Sequence, residues 1–480
     1  MNIFNKYFGI IKKNKVLLFI IGYYLLFVAL TLYSGFYPRE WNYGFYHLKY
    51  FSLAAKIIFL AVGIIFLIPK INRRANEFLE STVKNFKFNK YMTFILISLV
   101  FLFIFWNFKS RIIYGDGFDI MKNFFKESII MTSPLTFVIF HQFQKIFSFA
   151  GFTPYHTISL ISCLFGAVSV FFLLLISDSL FKESIKKVYF FLLLMTLGTT
   201  QLFFGHVEYY TIFATGIIIY IYTIILYFKD KTSIFIPSLI LVLTVLLHLS
   251  AGFLIPSLIA AALIKKSNNH KELFARIFKI STTFLVIIIL FGAYIYFFEW
   301  NASIPNSPTD KYGRFGHGQS VFARFYPLFE IKYPEEQKFT LFSHEHINEL
   351  VNEHLLIAPF GLFILIMSWM TYKKKIKTET NLQKRNFYTF MFVLVAFFLF
   401  YTFTSVMGFS GRQDWDQFSP VALTYSIFGN MLLINYSDKK NLKYILLIIL
   451  VLNMLHLIPW IASNHLGLPT QPTSSIMSNV

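Results

Sequence analysis

The sequence predicts an all-α fold, a polytopic transmembrane bundle of about 13 helices. Three observations predict it. The 480-residue chain is 56% hydrophobic and 20% aromatic, with a mean hydropathy of +0.61, a composition that soluble domains do not have. Its apolar runs are continuous where barrel strands would alternate over about ten residues, which argues against a β-barrel. Its net charge of +20 gathers in short loops between those runs, where the positive-inside rule puts Lys and Arg; a nucleic-acid partner is therefore rejected.

The predicted spans are 16–33, 51–69, 91–107, 155–180, 188–204, 209–228, 233–248, 250–264, 277–298, 355–372, 387–406, 419–436 and 443–460. The first follows Lys12, Lys13 and Lys15 and has no small-residue cleavage site, so it reads as an uncleaved signal anchor. The pair at 233–264 is separated only by HLS. The one cysteine, Cys163, falls within a span and serves packing. With the N-terminus cytoplasmic, the inside segments hold 29 Lys and Arg against 13 outside, and the acidic residues divide seven inside to 15 outside. That asymmetry sets the orientation.

Two outside segments are long. In 108–154, the stretches FDIMKNFFKESIIM and PLTFVIFHQFQKIF each put apolar residues on one face and read as interfacial helices. The second segment, 299–354, opens on NASIPNSP and closes on HINELVNEHLL. It is too small for a sizeable soluble domain, so residues 1–480 are read as one integral membrane domain, with N-terminal helices and a basic cytoplasmic loop in 1–90. There is no internal repeat.

Four polar clusters fall on the outer side. In YGDGFD, Gly115 and Gly117 allow a tight turn that frees Asp116 and Asp119 to face a ligand. A carboxylate beside an apolar surface gains proton affinity and can serve as general base; the plainer role for Asp119 is to cap the following helix. In GHVEYY, Glu208 lies at the membrane surface, where an ionisable group is costly and marks function. His206 supplies a second acid or donor, and Tyr209 and Tyr210 suit interfacial anchors. In SHEHINELVNEH, His344, His346 and His354 stand among three glutamates, but the spacing is not HExxH and matches no standard zinc site; the plainer reading is a polar helix with Asn352 and His354 turned inward. In GRQDWDQFSP, Arg412 has the planar fork that clamps phosphate, Asp414 and Asp416 can orient it or hold a sugar, and Trp415 is a sugar platform or an interface anchor.

With these clusters on one face, the chain resembles the GT-C superfamily of integral-membrane glycosyltransferases, which includes protein O-mannosyltransferases, lipid A aminoarabinose transferases and uncharacterised bacterial relatives. The likeness rests on the many spans, the acidic first outside loop with two interfacial helices, and the second acidic turn; GHVEYY and RQDWDQFS resemble segments of bacterial members. The resemblance implies a catalytic or substrate-orienting carboxylate at Asp116 or Asp119, and a donor sugar on a polyprenyl phosphate at the outer leaflet. Without a large C-terminal soluble domain, the chain is unlike an oligosaccharyltransferase.

The expected reaction is therefore transfer of a sugar from a polyprenyl-phosphate donor to a hydroxyl of a lipid, glycan or protein acceptor, with inversion, at the outer face of a bacterial inner membrane. Asp116, Asp119 and Glu208 are the catalytic candidates. His206, Arg412, Asp414, Trp415, Asp416, Arg324, His344 and His354 are the binding candidates, with Arg412 or Arg324 steadying the leaving phosphate. The chain has no Walker or dinucleotide glycine motif, and no cofactor or metal is expected. The alternatives are a transporter or flippase, whose polar groups would sit nearer the midplane, and a surface-polysaccharide polymerase or ligase.

Overall fold

The computed structural model describes residues 15–85, 89–123, 128–129, 132–267, 269–298, 301–302, 324–334, 337–407 and 411–468. In chain order its helices are α1 (Lys15–Phe36), α2 (Leu53–Ile65), α3 (Pro69–Asn85), α4 (Lys90–Asn107), α5 (Gly117–Asn123), α6 (Pro134–Ser148), α7 (Pro154–Leu180), α8 (Ser184–Met195), α9 (Tyr210–Phe228), α10 (Phe235–Leu247), α11 (Ile255–Ile264), α12 (His270–Phe297), α13 (His344–Ile357), α14 (Gly361–Lys377), α15 (Leu382–Thr404), α16 (Trp415–Tyr436) and α17 (Lys439–His465). A two-residue parallel pair, β1 (Ser128–Ile129) with β2 (Asn301–Ala302), ties the two long segments 108–154 and 299–354 together.

The chain is a helical membrane protein. Among the described residues, α1, α4, α7, α9, α12, α15 and α17 are long and apolar enough to cross a bilayer, which makes seven spans, or up to nine if the bent pairs α2–α3 (85°) and α13–α14 (94°) each count as one. All thirteen predicted segments are helical in whole or part, but several are too short to cross alone. The run 51–69 ends where Pro69 opens α3, a polar helix that turns sharply from α2. The run 188–204 splits at Thr196 into α8 and the 3-10 turn Gly198–Phe203. Helices α10 and α11 have only 13 and 10 residues, short of the roughly 20 that a hydrocarbon core asks for.

Burial sorts the helices into layers. Helix α9, apolar or hydroxyl-bearing on every side, and helix α16, which adds Asp416 and a few amides, are buried along nearly their whole length, so they form the centre. Helices α4 and α12 expose Leu96, Leu99, Phe103, Leu285, Ile289 and Leu290, a surface whose favourable partner is lipid.

One end of the bundle carries the ion pairs. Lys90 and Lys187 both meet Asp178, Lys186 meets Glu183 at 2.6 Å, Lys265 meets Asp230 at 2.6 Å, Lys384 meets Glu379 at 3.1 Å, Arg276 meets Glu272, and Lys443 meets Glu80. These are the basic loops that the charge count puts in the cytoplasm. Asn269, Asn381 and Asp438 cap the helices there, each accepting from a first-turn N–H. The acidic clusters lie at the opposite end.

Candidate active site

The first loop is folded by its own backbone and by α17. Ser110 Oγ turns back onto Ile112, the Arg111 N–H donates to Asn464 O at 3.1 Å, and Tyr114 OH donates to Asn464 Oδ1 at 2.9 Å. Gly115 then takes φ +50°, a left-handed conformation that favours glycine. The Gly117 N–H closes the turn on Tyr114 O, and the Ile120 N–H donates to Asp116 O at 2.9 Å. Asp116 is therefore the residue that leads into α5, while Asp119 lies inside that helix. This corrects the expectation that Asp119 is the cap; the side chain of Asp119 is outside the described residues.

The second segment is pinned by α7. Gly205 has φ +64°, and the carbonyls around it accept from Ser159 Oγ (3.0 Å, to Gly205 O) and Ser162 Oγ (2.6 Å, to His206 O). Ser110 N–H donates to Phe204 O at 2.8 Å, joining this segment to the first loop. The consequence is a close approach. A Cβ on Gly115 would lie 3.5 Å from Glu208 Oε1, and one on Gly117 would lie 3.7 Å from that oxygen and 2.5 Å from Val207 O. Both glycines of YGDGFD are what lets GHVEYY sit against the loop.

Glu208 is 1% exposed, and among the described residues no side-chain donor reaches either of its oxygens. Burial first, and then the charges of Asp416, Asp116 and Asp414, hold its carboxyl well above the usual carboxylate range; the Tyr209 backbone amide offsets only part of this. It therefore keeps its proton where an ordinary glutamate has lost it. Asp116 is half-buried and accepts from Tyr209 OH at 3.3 Å. Its neighbourhood also feels Arg324, whose Nε and Nη2 are buried without a partner among the described residues. Val406 N–H donates to Arg324 O, which fixes that backbone against the end of α15.

The third segment completes the cluster. His206 Nε2 lies 2.6 Å from Asp416 Oδ2, and both are almost fully buried. Asp414 precedes α16, with Oδ1 3.6 Å from the place of a Cβ on Gly115. Arg412 Nη1 donates to Tyr50 OH at 2.6 Å and Nη2 to Tyr114 OH at 3.2 Å. Trp415 is 1% exposed and packed between His206 and Trp460, with ring centroids 4.9 and 4.7 Å away. It is a core residue, neither an open sugar platform nor an interface anchor. Pro420, inside α16, has no N–H for the Asp416 carbonyl.

The remaining candidates divide. His344 is exposed at the start of α13, about 15 Å along that helix from His354, and the fold does not bring it to the cluster. His354 and Asn352 turn inward: His354 Nδ1 pairs with Tyr425 OH at 3.2 Å, and Asn352 Nδ2 donates to Trp41 O at 2.7 Å. His354 thus braces α13 on α16 and touches none of the carboxylates. Sequence reasoning missed its neighbour Glu353, which is fully buried, accepts from Tyr43 OH at 2.8 Å, and lies within the electrostatic reach of Asp414 and Asp416. The local sequence does not set it apart from Glu349, one turn earlier on the same helix face. Among the described residues no three His, Cys, Asp or Glu side chains form a group that could hold a metal ion.

The class defined by this fold is an all-helical, multi-spanning membrane protein with a buried carboxylate cluster at one end. No family model matches the sequence, and no curated protein is similar enough to count as a relative. Among solved structures, the chain is similar to ArnT from Cupriavidus metallidurans, crystallised with undecaprenyl phosphate bound, at 11% identity and a TM-score of 0.45. The match spans 73% of this chain and 60% of that one. A likeness that distant assigns no substrate, reaction or residue role to this chain.

Proposed function

We propose that the protein is a membrane glycosyltransferase that moves a sugar from a polyprenyl-phosphate donor to an acceptor hydroxyl, with inversion, at the outer face of a bacterial inner membrane. One observation carries the reading. Tyr114 accepts a hydrogen bond from the Arg412 guanidinium and stands two residues from Asp116, so one loop links a guanidinium, a group suited to phosphate, to a carboxylate. That pairing suits attack by a hydroxyl on a sugar whose leaving group is a phosphate.

In this reading Asp116 is the base, since it is half-buried and its neighbour Glu208 already holds a proton. The acceptor oxygen bonds to the anomeric carbon and its proton passes to Asp116. Protonated Glu208 places no further charge beside that base and can donate a hydrogen bond to a sugar hydroxyl. The His206–Asp416 pair fixes the turn carrying Glu208 against α16. Arg412, with Arg324 within electrostatic reach of Asp116, steadies the leaving phosphate.

The test is turnover in lipid nanodiscs with a panel of polyprenyl-phosphate sugars and membrane acceptors. The expected result is release of polyprenyl phosphate from one donor and a product of inverted anomeric configuration by NMR. A retained configuration, or no release from any donor, contradicts the proposal.

A further inference from the structure

Between α1 and α2 the chain makes a short 3-10 helix, Tyr46–Tyr50, on the outer side. Lys49 lies on it, half-buried, with Nζ 3.9 Å from the ring centre of Tyr46 and 4.8 Å from that of Tyr50. The Arg412 guanidinium lies over the same two rings at 5.3 and 5.5 Å, and over Tyr114 at 5.8 Å. Two cations thus share one aromatic cage. Among the described residues neither pairs with a carboxylate, and Arg412 Nε is buried without a partner. His47, on the same turn, has its protonation opposed first by burial, then by His456, Arg412 and Lys49. Like charges are gathered here without a counter-charge, an arrangement that costs stability until an anion arrives.

We propose that Lys49 is the second cation of the leaving-phosphate site, with Tyr46, Tyr50 and Tyr114 as its walls, and that it matches the charge of the product rather than that of the donor. This rests on the glycosyl-transfer reading. The donor phosphodiester carries one negative charge. On transfer the acceptor O–C1 bond forms, the acceptor proton goes to Asp116, and the C1–O bond to phosphate breaks with its electron pair left on the phosphate oxygen. The leaving group is then a phosphomonoester, whose second pKa near 6 gives it close to two charges at neutral pH. Arg412 alone balances the donor; Arg412 with Lys49 balances the leaving group, so Lys49 acts on charge that develops in the transition state.

The test measures binding of polyprenyl phosphate and of its methyl ester, which keeps a single charge, to the wild-type protein, Lys49→Met and Lys49→Arg in nanodiscs. Wild type should prefer the monoester. Lys49→Met should lose about tenfold in monoester affinity, which is about 1.4 kcal/mol, and keep its ester affinity, while Lys49→Arg restores the preference. In turnover, Lys49→Met should lower kcat with little change in donor KM. Equal binding by wild type and Lys49→Met, or equal loss of both ligands, overturns the assignment of Lys49 and leaves the transferase reading standing. Failure of wild type to bind either lipid overturns both. Inorganic phosphate should compete only weakly; competition as strong as that of the lipid would make this a free-phosphate site and also overturn the proposal.

Discussion

A side chain on Gly117 would place its first carbon 2.5 Å from the carbonyl oxygen of Val207. That carbon is fixed to its own backbone and meets a backbone oxygen, so the contact cannot be relieved by a rotamer change, and it sets how closely the first loop approaches the Glu208 turn. Gly117→Ala should therefore cost about 1–3 kcal/mol and reduce activity by separating Asp116 from Glu208. Gly292→Ala in α12, where a Cβ meets nothing within 4 Å, is the control and should be neutral to stabilising by about 1 kcal/mol. Melting temperatures of the two variants check this; equal melting contradicts the close approach.

The raised proton affinity of Glu208 makes stability depend on pH. Folded Glu208 keeps a proton that the unfolded chain releases above the ordinary value of 4.5. The unfolded state then binds fewer protons, so stability falls as pH rises from there towards the folded value. Glu208→Gln removes this term. Relative to wild type, the variant should gain stability as pH rises above the ordinary value of 4.5, read as a melting-temperature difference that widens with pH. A constant difference, or one that narrows, contradicts a protonated Glu208.

The His206–Asp416 pair joins residues 210 apart in the chain. Removing one partner strands the other in a buried site, which typically costs about 3–5 kcal/mol. A cycle of His206→Ala, Asp416→Ala and the double variant should show a coupling of about 0.5–3 kcal/mol in unfolding from detergent. Additive single effects contradict the pair.

Much of this arrangement could be read in the sequence, and the limits have physical causes. Hydropathy and loop charge mark out a helical membrane protein because each apolar run carries its own signal. The two glycines of YGDGFD announce a tight turn because no other residue fits one so freely. Partnership across the chain carries no such local mark: nothing in GHVEYY names Asp416, and nothing in NELVNEH sets the packed Glu353 apart from Glu349. Trp415 shows the same limit, since an indole near a loop looks alike whether it anchors at an interface or fills a core. The broken runs at 51–69 and 188–204 were hidden because hydropathy counts residues and does not register a turn.

Orientation is testable with the native chain as background, because its one cysteine, Cys163, is buried. Thr380 and Ala150 are both exposed. Ala150→Cys should react with an impermeant thiol reagent added outside intact cells, and Thr380→Cys only after permeabilisation. Labelling of Thr380→Cys from outside would invert the topology and put the carboxylate cluster on the cytoplasmic side.

The most direct measurement is the rate of polyprenyl-phosphate release by Asp116→Asn at saturating donor, beside a melting curve for the same sample. A general base contributes about 10²–10⁴-fold, so the rate should fall by that factor while melting stays within a few degrees of wild type. Release at the wild-type rate would contradict the account, because no transfer that depends on this carboxylate survives its conversion to an amide.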